Sequence, residues 1–197
     1  MNHIDISSVL RQTLACDLYS NLVTRSTGAA VRDQIELLLG ESHDRGVLLT
    51  VIDFSQVSMI DFSCADEVVA KLLMRYASED PPQEAYFLFR GVTEHHSDAI
   101  EAVLERHGLA LAIEAGADGE VRVIGVLSDA ERRAWNATYR LGRADATDVA
   151  TELDEAPDDT QRALDALWRR RLVMRTDDHY ATTSALPRSA NALALYS

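Results

Sequence analysis

Apolar and polar positions change their period repeatedly along this chain. In "STGAAVRDQIELLLG" (26–40), Ala30, Val31, Ile35, Leu38 and Leu39 share one helical stripe, Ser26 or Thr27 can cap it, and Gly40 can end it. "GVLLTVIDF" (46–54) lacks polar alternation, which suits a strand covered on both faces. A helix is expected from about Ser63 to Tyr76 with Val68, Val69, Leu72 and Leu73 inward, before "EDPPQ" (79–83) breaks the chain. "AYFLFR" (85–90) reads as a buried strand, "SDAIEAVLERHG" (97–108) as a helix starting on Ser97, and "VRVIGVL" (121–127) as a last strand. Near the start, "HIDISSVL" and "LYSNLVT" read as a hairpin of strands. Strands alternating with helices predict an α/β fold with a mostly parallel centre.

The pattern changes after Leu127. "SDAERRAWNATYRLG" (128–142) opens with the capping box Ser128–Glu131, and "DATDVATEL" (145–153) is a short second helix. "APDDTQRALDALWRRRLV" (156–173) places Pro157 in a first turn and Leu164, Leu167, Trp168 and Leu172 on one face. "VMRTDDHYATTS" (173–184) reads as two β-prone stretches around a polar turn. The expected organisation is one domain over 1–127, a second over 128–186, and a tail over 187–197, the first half folding by itself.

Composition narrows the function. The 197 residues are 47% hydrophobic, enough for a real core, and carry a net charge of −13. Residues 1–126 hold 20 Asp or Glu against 9 Lys or Arg, and residues 127–197 hold 12 against 10. That sign argues against coating nucleic acid or an anionic membrane. Two cysteines, Cys16 and Cys64, do not make a disulfide framework. With no basic leader and no long apolar run, the expectation is a cytoplasmic protein without a membrane partner.

The chemistry concentrates in "MIDFSCADEVV" (59–69). Ser63 sits where a strand ends and a helix begins, so its hydroxyl can cap the helix. A phosphate there would gain from the helix dipole, but Asp61, Asp66 and Glu67 would repel it, and the cap is the favoured reading. Four carboxylates, Asp53, Asp61, Asp66 and Glu67, could hold a hard cation only if the adjacent Asp66 and Glu67 turned to one point. A solvated acidic rim is expected instead. His95, His96 and His107 are expected at the surface, and no metal is expected. Cys64 near a helix start could be a thiolate, but no histidine is close in sequence, and no nucleophile elbow, phosphate loop or dinucleotide fingerprint occurs. The expectation is a protein with no catalytic residues and no cofactor.

Residues 1–126 resemble the STAS fold, named for sulfate transporters and anti-sigma-factor antagonists. The residues that carry the resemblance are "VIDFSQVSMID" followed by "FSCADEVV", with "GVTEHHSDAIEAVLERHGLALAI" (91–113) similar to the next loop and helix. The resemblance implies that Asp53 and Asp61 match the family's two aspartates and that Ser63 falls on its phosphoacceptor serine. Phe62 stands in place of the family's first serine and Cys64 in place of its glycine. Together with "VTRSTGAAV", these changes bring the chain closer to a STAS-like branch of unknown function, in which phosphorylation is not a defining feature. The second half resembles the winged-helix (winged helix-turn-helix) superfamily in its order of helix, short helix, longer helix and hairpin. Asp158 and Asp159 would then face a DNA groove and Asp177 and Asp178 would sit in the wing, whereas Arg162, Arg169, Arg170, Arg171 and Arg175 supply the candidate phosphate contacts. A regulatory protein is expected, docking a protein partner through the loop and helix of residues 55–70, with Asp53, Asp61, Phe62, Ser63, Asp66 and Glu67 as the candidate contact residues. The alternative is a DNA-binding regulator whose first half dimerises or senses a signal. A homo-oligomer is compatible with either.

Overall fold

A computed structural model describes residues 2–6, 21–41, 48–115 and 119–184. Cys16, the start of the second expected strand and the 187–197 tail lie outside the described residues. The first half contains β1 (Asn2–Asp5), β2 (Asn21–Leu22), α1 (Arg25–Gly40), β3 (Leu48–Asp53) and β4 (Met59–Ile60). Helix α2 follows over 62–76, with a wider π turn at Asp66–Ala70, and then β5 (Ala85–Arg90), α3 (Glu94–His107), β6 (Ala110–Ala115) and β7 (Glu120–Gly125). The second half contains α4 (Asp129–Leu141), β8 (Arg143–Asp145), α5 (Ala146–Leu153), α6 (Pro157–Arg169), β9 (Val173–Thr176) and β10 (His179–Thr182).

The fold is mixed α/β. Its main sheet has the order β1-β3-β5-β6-β7, parallel except for the antiparallel edge strand β7. The structure departs from the sequence reading at the first hairpin, at 110–115 and at the start of α3. The first strand does not form a hairpin with the second: β1 pairs parallel to β3, and β2 pairs parallel to β4. "ALAIEA" (110–115) is a strand of its own, because Gly108 at φ 63 ends α3 in a left-handed turn and releases the chain. Helix α3 also starts earlier than Ser97, capped by Thr93.

The parallel strands advance across the sheet in one direction. Right-handed crossovers then put all the intervening helices on the same face. Val31, Ile35 and Leu39 of α1, Val68, Val69 and Leu72 of α2, and Ile100, Val103 and Leu104 of α3 accordingly share one core with Ile52, Phe87, Phe89, Leu111 and Ile113. Alternate residues of the same strands, Val51, Leu88, Ala110, Ala112, Val121 and Val123, point the other way. The second half covers them: Ala134 and Trp135 of α4, Leu164 and Leu167 of α6, Leu172 and Tyr180 form one cluster with that face. Leu49 and Tyr86 pack with Met174 in the same way.

The second half builds its own frame. Ser128 and Glu131 form the expected capping box and Pro157 opens α6. Strands β8, β10 and β9 make a three-stranded antiparallel sheet, in which β8 is an unexpected addition to the hairpin. Trp135 donates its indole N–H to the Leu172 carbonyl at 3.2 Å, tying α4 to the end of α6.

A fragment of residues 1–127 should therefore be only half covered. It should bind a hydrophobic dye and unfold with a lower midpoint than the full chain, which should melt in one transition. A fragment with the full chain's midpoint and no dye binding would show that the second face needs no cover.

Candidate functional site

The loop after β3 returns through β4, whose pairing with β2 sets Met59 opposite Asn21 and Ile60 opposite Leu22. The Asp61 N–H then donates to the Leu22 carbonyl at 2.8 Å. Asp61, still extended at φ −87° and ψ 168°, is the N-cap of α2: its carboxylate accepts the Cys64 N–H at 2.8 Å. Ser63 lies inside the first turn and donates its hydroxyl to Asp61 at 2.9 Å. The cap expected at Ser63 thus belongs to Asp61, with Ser63 bracing it. Burial pushes the Asp61 carboxyl up, but the hydrogen bonds from Cys64 and Ser63 outweigh this and hold it below its ordinary range.

Cys64 is buried against α1 and donates its thiol to the Thr24 carbonyl at 2.8 Å. Burial and the neighbouring Asp61 push that thiol up to about 12, far from a thiolate. The helices meet closely here, since a Cβ on Gly28 would come within 2.9 Å of the Cys64 Cα.

Asp66 and Glu67 do not form a solvated rim. They are only 6% and 3% exposed. One Arg25 nitrogen donates to Asp66 at 3.1 Å and to Glu67 at 2.8 Å, Arg32 and Lys71 close on Glu67, and His107 Nε2 meets Asp66 at 2.7 Å. Cations from α1 and α2 and a histidine from α3 thus converge on two adjacent carboxylates. Burial pushes both carboxylates up, but the bonds from His107 and Arg25 to Asp66, and from Lys71 and Arg25 to Glu67, hold both below their ordinary range. Asp53 is occupied elsewhere: its carboxylate accepts the Ser55 N–H at 2.8 Å and meets His3 at 3.0 Å. Among the described residues, no group of three or more His, Cys, Asp or Glu side chains is placed to hold a metal ion.

His96 is not at the surface as expected. It is fully buried, with Nε2 donating to the Val57 carbonyl at 2.9 Å and Nδ1 accepting the Thr93 N–H at 3.1 Å. Burial holds its pKa below the ordinary value, so it is a neutral structural residue that locks the 55–58 loop to α3.

What the site exposes is apolar. Val23, Met59 and Phe62 are 45%, 47% and 39% exposed; by strand alternation Val23 and Met59 fall on the side of the β2–β4 pair opposite the buried Leu22 and Ile60, and Phe62 opens α2. The Arg106 guanidinium lies 6.0 Å from the Phe62 ring centre. Of the residues expected to dock a partner, Phe62 and, in part, Asp61 and Ser63 reach this surface; Asp66 and Glu67 face inward. Val23 and Met59 were not singled out from the sequence, because single apolar residues between polar ones carry no signal of a shared face.

The candidate phosphate contacts of the second half are mostly occupied. Arg162 pairs with Asp159, and Arg175 pairs with Asp165 at 3.5 Å above the Trp168 and Tyr180 rings. Arg170 holds Glu131 at 3.0 Å and donates to the carbonyls of Gly108 and Val126. Arg171 donates to the Tyr76 carbonyl at 3.1 Å and lies over Tyr86 and Trp168. Arg169 remains exposed. Among the described residues, no helix is long and apolar enough to cross a membrane. Comparison with protein families and with curated proteins returns no match for this chain.

Removing the true cap should cost more than removing its brace. Asp61→Ala is expected to destabilise by about 0.5–2 kcal/mol, with Ser63→Ala below it. Glu67→Ala should cost about 2–3 kcal/mol, at the low end for a broken buried pair because Arg25 and Lys71 can return to water. Chemical denaturation of the three variants checks the order; equal losses for Asp61→Ala and Ser63→Ala would contradict it.

Stability should also fall with acid in two stages. His96, Asp53, Asp61, Asp66 and Glu67 are all held below their ordinary values, so each contributes stability above that value which is lost as pH falls. The decline should begin below His96's ordinary value of 6.5 and steepen below Glu67's 4.5. Melting temperature against pH reads this; a curve flat from pH 7 down to 4 would contradict it.

Proposed function

We propose that the protein is a non-enzymatic, cytoplasmic regulator that acts by docking a protein partner through the loop and helix of residues 55–70. The reading joins a STAS-like first half, over 1–127, to a winged helix over 128–186. One observation carries it: the apolar Val23, Met59 and Phe62 are each exposed on the segments that lead into α2, while the acidic Asp66 and Glu67 of that helix are turned inward and neutralised. Exposed apolar groups rimmed by polar ones mark interaction surfaces. The α4–β8–α5–α6–β9–β10 order supports the winged-helix comparison, and the burial of Cys64 and His96 supports a role without catalysis.

DNA binding is the second reading, favoured by exposed Arg162 and Arg169 on α6. Against it, Asp158 and Asp159 lie in the first turn of α6 and Arg170 and Arg171 are committed to the first half. Only non-specific affinity of roughly 10⁻⁴ to 10⁻⁶ M is expected from such a surface.

The test is affinity capture with the full chain beside Met59→Asp, Phe62→Asp and, as an exposed apolar control, Met74→Asp. A stoichiometric protein partner should be retained by the parent and the control and lost by the other two, with melting temperatures unchanged. Identical capture by all four, or nanomolar, sequence-selective DNA binding by the parent, would contradict the reading.

A further inference from the structure

The chain has 32 Asp or Glu against 19 Lys or Arg, and Arg25, Arg75, Arg90, Arg133 and Arg140 each hold a carboxylate. Arg106 does not. It is exposed in the last turn of α3, and among the described residues its guanidinium has neither a carboxylate nor a hydrogen-bond partner. The group lies instead over the ring of Phe62, the exposed first residue of α2, 6.0 Å from the ring centre.

The surroundings explain why it stays open. Side chains of one helix meet at spacings of three or four, and Ala102 and Val103 hold those positions before Arg106. Glu101 and Glu105 are five and one positions away. The carboxylates at the start of α2 are already engaged: Asp61 by the Cys64 N–H and the Ser63 hydroxyl, Asp66 by Arg25 and by His107, the residue next to Arg106. A cation in the last turn suits the dipole of α3, yet Arg106 donates to none of the carbonyls there. A guanidinium over a ring keeps its in-plane N–H groups, and these fit a carboxylate two by two.

We propose that Arg106 is a specificity determinant of the docking site, pairing with an Asp or Glu of the partner whose neighbouring apolar side chain rests on Phe62. The inference rests on the docking reading and adds the partner's chemistry to it. The occupant is a protein segment in which a carboxylate adjoins an apolar residue. Nucleic acid fits poorly, since the net charge of −13 and the exposed Glu101 and Glu105 on the same helix repel a run of phosphates. A single carboxylate asks for only one cation.

Selection of a displayed random library of ten-residue peptides on the full chain tests this, with Phe62→Ser used to discard peptides that bind elsewhere. The peptides lost on Phe62→Ser are expected to carry Asp or Glu next to Leu, Ile, Met or Phe. Arg106→Gln should weaken them roughly tenfold, the loss of one charge-assisted pair. Arg106→Lys should recover part of that loss, because it keeps the charge without the planar fork. Arg143→Gln, an exposed arginine of β8, should change nothing. Phe62-dependent peptides with no acidic preference, or with the same affinity for Arg106→Gln, overturn the pairing and leave the docking site standing. A library that yields no Phe62-dependent peptide removes the docking site, and the pairing with it.

Discussion

A parallel sheet whose strands advance in one direction can be covered by its own crossover helices on one face only. Everything else in this molecule follows from that constraint. Helices α1, α2 and α3 fill one side, leaving Val51, Tyr86, Leu88, Val121 and Val123 bare on the other. A strip of that size cannot stay in water at roughly 25 cal/mol per Å² of apolar surface. The second half is the cover. Arg170 and Arg171, which from the sequence belong to a basic cluster, are drawn into the seam: they satisfy the carbonyls that end α2 and α3 and the one at Val126.

The same logic governs charge. Burying two adjacent carboxylates costs several kcal/mol each unless cations and hydrogen bonds compensate, and here α1, α2 and α3 all contribute to that compensation. The arrangement fixes the three helices relative to one another just behind the start of α2. It also withdraws negative charge from the surface there. What remains exposed around the start of α2 includes Val23, Met59 and Phe62, the last beside the Arg106 guanidinium, apolar groups suited to a contact in an otherwise strongly acidic protein.

Local signals were legible in the sequence, and long-range ones were not. The apolar runs at 46–54 and 85–90, the Ser128–Glu131 box and Pro157 each act over a few residues, and the α/β alternation emerges from them. Asp61 and Ser63 compete for one cap within three residues, and only the chain's return through Leu22 decides for Asp61. The burial of Asp66 and Glu67 depends on Arg25 and Arg32, some forty residues earlier in the chain, so an acidic pair read alone looks like surface. Read from the sequence, His96 is half of a surface pair, because its acceptor, the Val57 carbonyl, lies 39 residues away. Strand β6 carries no local signal of its own, because "LALAIEA" follows a helix directly and only the left-handed Gly108 separates them.

Hydrogen exchange of the full chain with its captured partner tests the central claim most directly. The account predicts added protection at β2, β4 and the first turn of α2, with α6, β9 and β10 unchanged. Protection confined to α6 and the β9–β10 hairpin would place the working surface on the second half and contradict it.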